Sequence, residues 1–235
     1  MKLVQIHIVA LVCLCAAAEY FPEKLVKKYA MKKMAESCFG EEAIKTNKME
    51  VAAATVKCMG DDAAGRPGLM ARFGGIFEVQ GSRRKRSNHN GLRPEGLQKI
   101  QAKISNLMGN ITCVLKEMNM LDAENQIDLA SMKERVTGMN LAKGLTEDLM
   151  EGLEECNDFA NCLPSSVVDK SPITAEFGRQ MAFFKCLKRA KAKSCMKQDF
   201  REEHLPMLMK ADLDIDVDET FQTVMMSFMV GRSPF

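Results

Sequence analysis

The chain has 235 residues, with 33 Lys and Arg against 31 Asp and Glu, so its formal net charge is +2. This near-neutral balance argues against a nucleic-acid partner, because binding to phosphates requires a strong excess of cations. The length allows one large or two small domains, but the nine cysteines are spread along the whole chain, which favours a single domain.

Residues 1–18 have the pattern of a signal peptide. A basic start at Lys2 is followed by an apolar run and by three alanines before Glu19, a pattern typical of export and cleavage. The apolar run is shorter than the roughly 20 residues of a membrane span, so a retained anchor is the less favoured alternative. We therefore expect a secreted, extracellular protein of residues 19–235, with no membrane segment and with seven cysteines, most of them paired.

The next part of the chain is predicted to contain two helices and an insertion. Residues 23–37 and 41–59 are rich in strong helix formers. Residues 60–94 concentrate glycine and proline, which predicts a flexible insertion in the domain. Its basic run Arg83-Arg84-Lys85-Arg86 is either a solvated loop or a cleavage site for a furin-like convertase.

Helical periodicity returns at residue 95 and continues to residue 118. Asp128 is predicted to cap a short helix that ends at Gly138, and Thr146 to cap the next one. Apolar residues from Phe177 to Leu187 share one helical face, and the basic residues 188–193 suit the end of that helix. Residues 217–230 form an amphipathic helix within a C-terminal tail of residues 212–235.

Little in the sequence indicates catalysis, so we expect no enzyme and no cofactor. Residues 19–235 hold only His89 and His204, and they show none of the common catalytic motifs. No metal site is expected either: the alternating aspartates of residues 212–218 resemble an EF-hand, but Val217 and Thr223 stand where that loop needs glycine and glutamate. Asn110 begins the glycosylation sequon Asn110-Ile111-Thr112, although within a predicted helix.

The spacing of the later cysteines resembles that of the insect odorant-binding proteins. Residues 111–128 place Cys113 on a helix that runs into an acidic turn and a new helix. Eight residues separate Cys186 from Cys195, and 42 separate Cys113 from Cys156, as in the third-to-sixth cysteines of that family. The chain departs from the pattern at Gly109, where the family has its second cysteine; Cys58 would have to supply it. The sequence thus resembles an atypical, enlarged member.

The resemblance implies an all-α fold: a disulfide-stapled bundle of about six helices around an apolar cavity, with the insertion and an extra C-terminal helix. It also implies an interleaved pairing of Cys38 with Cys113, Cys58 with Cys186, and Cys156 with Cys195. Cysteine spacing alone leaves 15 pairings open for six cysteines. Cys162 would then be unpaired and could form a dimer between two chains.

The implied function is a carrier of odorants, pheromones or lipids, with a chemosensory receptor as a further partner. The chain has 19 methionines and no tryptophan, and methionine adapts to ligands of different shape. An ordinary helical core would explain each apolar residue equally well. The tail residues Phe221, Val224, Met225 and Phe228 are a candidate lid for the cavity. The predicted cavity wall consists of Leu115, Met118, Met132, Val136, Met139, Leu149, Met181, Phe184 and Leu187.

A second hypothesis belongs to a different class. The chain could be a secreted precursor that is cut after Arg86 and acts through protein–protein interaction. The long insertion and its basic run favour this alternative.

Overall fold

The computed structural model describes residues 23–60, 94–169, 171–209 and 216–229, and the signal-peptide prediction lies outside them. These residues are all-helical, with a single isolated antiparallel bridge between Leu121 and Ile127 and no strand. The predicted all-α class is confirmed. The helices are α1 (Glu23–Phe39), α2 (Glu41–Met59), α3 (Pro94–Glu117), α4 (Leu129–Gly138), α5 (Lys143–Cys162), α6 (Ser165–Val168), α7 (Ala175–Glu203), α8 (Leu205–Met209) and α9 (Val217–Met229).

Local signals set most of the helix ends. Gly40 separates α1 from α2 with φ of 81°, a left-handed conformation that glycine adopts without strain. The Asp128 carboxylate accepts a hydrogen bond from the Ser131 N–H (2.9 Å), and α4 ends at Gly138, so both predicted ends of this helix are confirmed. The Thr174 hydroxyl accepts from the Phe177 N–H (3.3 Å) at the start of α7.

Two predicted helix ends were wrong. Helix α5 begins at Lys143, and the Thr146 hydroxyl, inside its first turn, donates to the Ala142 carbonyl instead of capping the helix. Helix α7 does not end in the basic residues 188–193 but continues to Glu203. Its last turns are held by a tertiary contact, because Lys197 and Arg201 both bind the Asp148 carboxylate of α5.

The main core lies between α5 and α7. These two helices run antiparallel, because Gly152 of α5 faces Ala190 of α7, while Asp148, earlier in α5, binds residues later in α7, namely Lys197 and Arg201. The two helices approach closely at Gly152, where an added Cβ would lie only 2.9 Å from the Ala190 Cβ. Helix α4 packs on α5, and α1 packs on α7. The buried residues of this core are Met132, Val136, Leu145, Leu149, Leu153, Cys156, Ala160, Phe183 and Leu187.

A second, smaller core joins α2 to α3 through Ala54, Val114 and Met118. The segment between α3 and α4 is closed by the Leu121–Ile127 bridge and is held to α7, because the buried Gln180 side chain donates to the Asn125 carbonyl (2.7 Å). This connection places the end of α3 beside α4 and α7. The two cores thus enclose a space between them.

Three disulfides join helices that pack directly on one another: Cys38–Cys195 links α1 to α7, Cys58–Cys113 links α2 to α3, and Cys156–Cys186 links α5 to α7. The same six cysteines were expected to pair, but the predicted interleaved pairing of Cys38 with Cys113, Cys58 with Cys186 and Cys156 with Cys195 was wrong. The predicted pairing requires α1 to pack on α3 and α2 to pack on α7, whereas in the structure α1 packs on α7 and α2 packs on α3. Disulfides of this kind are typical of an oxidising compartment.

Other expectations concern the surface and the insertion. Cys162, at the end of α5, is exposed and free of a disulfide. The insertion of residues 60–94 lies outside the described residues except at its two ends, and so does the basic run of residues 83–86. None of the described helices is long and apolar enough to cross a membrane.

Candidate functional site

A partly open cavity of about 840 Å³ lies between α1, α2, α3, α4 and α7. Its wall is mainly apolar, and its size falls in the range of about 300–1,000 Å³ that is usual for small-molecule sites. Helix α7 forms one side through residues spaced three or four apart from Met181 to Cys195. Helices α2 and α3 form further parts of the wall, to which α2 contributes Ile44 and Val51.

Eight of the nine predicted cavity residues line this space. Leu149 is the exception: it is only 2% exposed and lies in the core between α5 and its neighbours, and it is not among the residues that line the cavity. Its assignment to the wall was wrong, because helical periodicity identifies a buried position without saying what it faces. The eight that line the cavity are Leu115, Met118, Met132, Val136, Met139, Met181, Phe184 and Leu187. Ligand binding by these residues stays a prediction.

The sequence interpretation missed the contribution of α1 and α2. Lysines are interspersed among the apolar residues of α1, a pattern typical of a surface helix, yet Met31, Met34 and Phe39 line the cavity. In α2 the signal was present in the spacing: Ala43, Ile44, Asn47, Glu50 and Val51 follow the helical repeat of one face, and all five line the cavity.

Methionine is prominent in the wall. Its long, unbranched side chain fills irregular space and changes shape at little cost. A wall of this kind suits ligands that differ in outline. The seven cavity methionines are Met31, Met34, Met118, Met120, Met132, Met139 and Met181.

Charged groups stand at one side of the cavity. Arg135 of α4 pairs with Glu50 of α2, and its guanidinium also donates to the Asn47 side chain (3.4 Å). Lys188 and Lys191 line the cavity from α7. Lys188 is exposed and Lys191 is half-buried. Burial, and then the nearby positive charge of Arg135, lower the pKa of Lys191.

The described side chains of the C-terminal helix pack on α7 and do not line this cavity. Phe221 packs against Phe200 with ring centroids 5.8 Å apart, and Asp218 pairs with Lys197. Lys197 lies nine residues after Lys188, about two and a half helical turns, and so on the opposite side of α7. No described side chain of α9 lines the cavity, so Phe221, Val224 and Met225 do not form the predicted lid. The side chain of Phe228 lies outside the described residues.

Two further predictions concerned a glycosylation site and the lack of a metal site. Asn110 is half-buried on α3, and its glycosylation stays a prediction. Within the described ranges, no group of three or more His, Cys, Asp or Glu side chains could hold a metal ion.

Comparison with known proteins leaves the family open: no family model matches the chain, and no curated protein or solved structure matches it. The resemblance to the odorant-binding proteins therefore rests on the cysteine spacing and the segment of residues 111–128. The observed disulfide pairing departs from the one that the resemblance implied.

Proposed function

We propose that this chain is a secreted carrier that binds a small hydrophobic molecule reversibly. The observation that carries the proposal is the mainly apolar, methionine-rich cavity of about 840 Å³, whose surrounding helices are linked by disulfides, α1 to α7 and α2 to α3. Cys195, itself part of the wall, is bridged to the end of α1, so covalent links hold two sides of the cavity together. Binding of this kind needs no bond to be made or broken.

Removal of apolar ligand surface from water would supply the affinity. Each methylene group that leaves water contributes about 0.8 kcal/mol, which corresponds to about a fourfold gain in affinity. Affinity should therefore rise steadily with ligand chain length until the cavity is full. The polar groups at one side of the cavity would orient the ligand.

Secretion and family membership belong to the same proposal. Three disulfides within the part of the chain that the structure describes favour an oxidising, extracellular setting. The chain would be an atypical, enlarged relative of the odorant-binding proteins, and a chemosensory receptor would then be a partner of the loaded carrier. Odorants, pheromones and lipids all fit the chemistry of the wall.

Displacement of a fluorescent apolar probe tests the proposal. The oxidised protein should take up the probe and release it to aliphatic ligands at micromolar concentrations. Ala192 lines the cavity from α7, and Ala53 is exposed on α2 outside it. We expect Ala192→Phe to fill part of the cavity and weaken probe binding by about tenfold or more, whereas Ala53→Phe should leave it unchanged. A folded, oxidised protein that takes up no probe would refute the carrier function.

The alternative function is that of a processed precursor. Its specific support is the basic run of residues 83–86, which lies between Cys58 and Cys113, a bridged pair. Cleavage after Arg86 would leave two pieces joined by this disulfide and by Cys38–Cys195. Intact mass of the native protein, before and after reduction, distinguishes the two functions, because only a cleaved chain separates on reduction. Nonreducing electrophoresis of the same sample shows whether the exposed Cys162 joins two chains.

A further inference from the structure

Two lysines of α7 line the cavity, whose wall is mainly apolar. Lys188 and Lys191 lie three residues apart, on one face of the helix, and both line the cavity. Within the part of the chain that the structure describes, neither forms an ion pair within 4.0 Å. A half-buried ammonium group with no carboxylate beside it is an unusual feature in an apolar wall.

The other charged groups that face the cavity do not neutralise these lysines. From α2 comes Glu50, which already pairs with Arg135 of α4. Glu134 of α4 is exposed at the rim. The lining residues of α1, α3 and α5 carry no charge. With Glu50 and Arg135 compensating each other, and Glu134 offsetting one lysine, one positive charge is left over at the cavity.

Lys191 is the stronger candidate for ligand binding because it is less exposed than Lys188. Burial and the proximity of Arg135 both lower its pKa, because both disfavour the charged form of the amine. An anionic group placed beside the ammonium would reverse this effect. The apolar wall requires that the rest of the same molecule be a hydrocarbon.

We propose that the cavity binds a long-chain fatty acid, with its carboxylate accepting a hydrogen bond from Lys191 Nζ and its alkyl chain lying along the methionine-lined wall. Lys188 adds positive charge at the mouth of the cavity. This inference rests on the proposed carrier function and names its ligand class. A hydrogen bond between two charged groups is shorter and stronger than one between neutral groups, especially where water is partly excluded.

The test compares a saturated fatty acid with the primary alcohol of the same chain length, each below its micelle-forming concentration. Both are titrated into the full oxidised protein by probe displacement and by calorimetry. We expect the acid to bind about tenfold more tightly than the alcohol or better. Lys191→Met should abolish that preference by weakening acid binding while leaving alcohol binding unchanged. Lys193→Met, an exposed position of α7 outside the cavity, is the matched control for net charge.

A pH series gives a second readout. As pH rises through the lowered pKa of Lys191, the ammonium loses its proton, so affinity for the acid should fall while affinity for the alcohol stays level. In the protein with ¹³C-dimethylated lysines, the Lys191 resonance, assigned by its absence in Lys191→Met, should titrate at higher pH once the acid is bound.

The outcomes separate the two proposals. If neither ligand binds, the carrier function itself fails. If acid and alcohol bind equally, and Lys191→Met changes neither affinity, the carrier stands and the assignment of a carboxylate ligand to Lys191 is overturned.

Discussion

Replacement of Asp148 by asparagine should destabilise the protein more than the loss of any surface ion pair. The Asp148 carboxylate on α5 is 9% exposed and accepts hydrogen bonds from Lys197 (2.8 Å) and from two nitrogens of Arg201 (2.5 and 3.1 Å). The substitution Asp148→Asn would keep the shape of the side chain but leave these two cations without a buried counter-charge.

The expected cost can be bounded from the structure. Removing one partner of a fully buried pair costs about 3–5 kcal/mol. Here the Arg201 side chain is 23% exposed, and Lys197 retains its pairing with Asp218. Solvation of Arg201 by water and the Asp218 carboxylate therefore reduce the cost of removing the Asp148 charge. We expect Asp148→Asn to lower the free energy of unfolding by about 2–3 kcal/mol, measured at neutral pH by urea denaturation with far-ultraviolet circular dichroism.

Glu147→Gln is the matched control on the same helix. Glu147 lies 3.8 Å from Lys143, with side chains 66% and 91% exposed, so its loss should cost less than about 0.5 kcal/mol. Equal costs for Asp148→Asn and Glu147→Gln would refute the reasoning.

The pH dependence provides an independent check. Burial raises the pKa of Asp148, but the hydrogen bonds from Arg201 and Lys197 outweigh it, so the pKa lies below its ordinary value of 3.8. A lowered carboxyl pKa means that this stabilisation is present above the ordinary value and is lost as pH falls through the folded-state pKa. The stability difference between the wild type and Asp148→Asn should therefore be constant near neutral pH and shrink only below about pH 4. A difference that disappears at higher pH would point to another group.

Two further predictions concern packing and cross-links. Gly152→Val should lower the free energy of unfolding by about 1–3 kcal/mol, because even a Cβ at Gly152 would lie 2.9 Å from the Ala190 Cβ. Gly109→Val is the control and should cost little, since a Cβ at Gly109 meets nothing within 4 Å. Equal effects of the two substitutions would mean that α5 and α7 do not approach this closely. Peptide mapping without reduction should recover Cys58 joined to Cys113. Replacing both with serine should cost about 4 kcal/mol through the unfolded chain, and a fragment joining Cys58 to Cys186 instead would contradict the fold.

Local chemistry explains what could be predicted from the sequence. The helix from Leu129 to Gly138 was predicted at both ends because its Asp128 cap and terminal glycine act within one turn. Eight residues of the cavity wall were also predictable, since apolar residues at helical spacing tend to be buried and these residues lie on such faces. The same argument could not separate Leu149, which packs in the core, from Met181, which lines the cavity.

Long-range contacts explain what was missed. Lys197 and Arg201 continue α7 beyond the predicted end because their partner, Asp148, lies about fifty residues earlier in the chain. Met31 and Met34 line the cavity because Cys38 ties α1 to Cys195 on α7, a pairing that spans 157 residues.

By itself, the sequence determined the helices, their apolar faces and the cysteines available for cross-linking, because propensity, capping and periodicity act over a few residues. Only the tertiary structure decided which helices meet, which cysteines pair, and that Lys191 stands half-buried in an apolar wall. Those properties depend on how distant parts of the chain pack together, and no local pattern of residues encodes that packing.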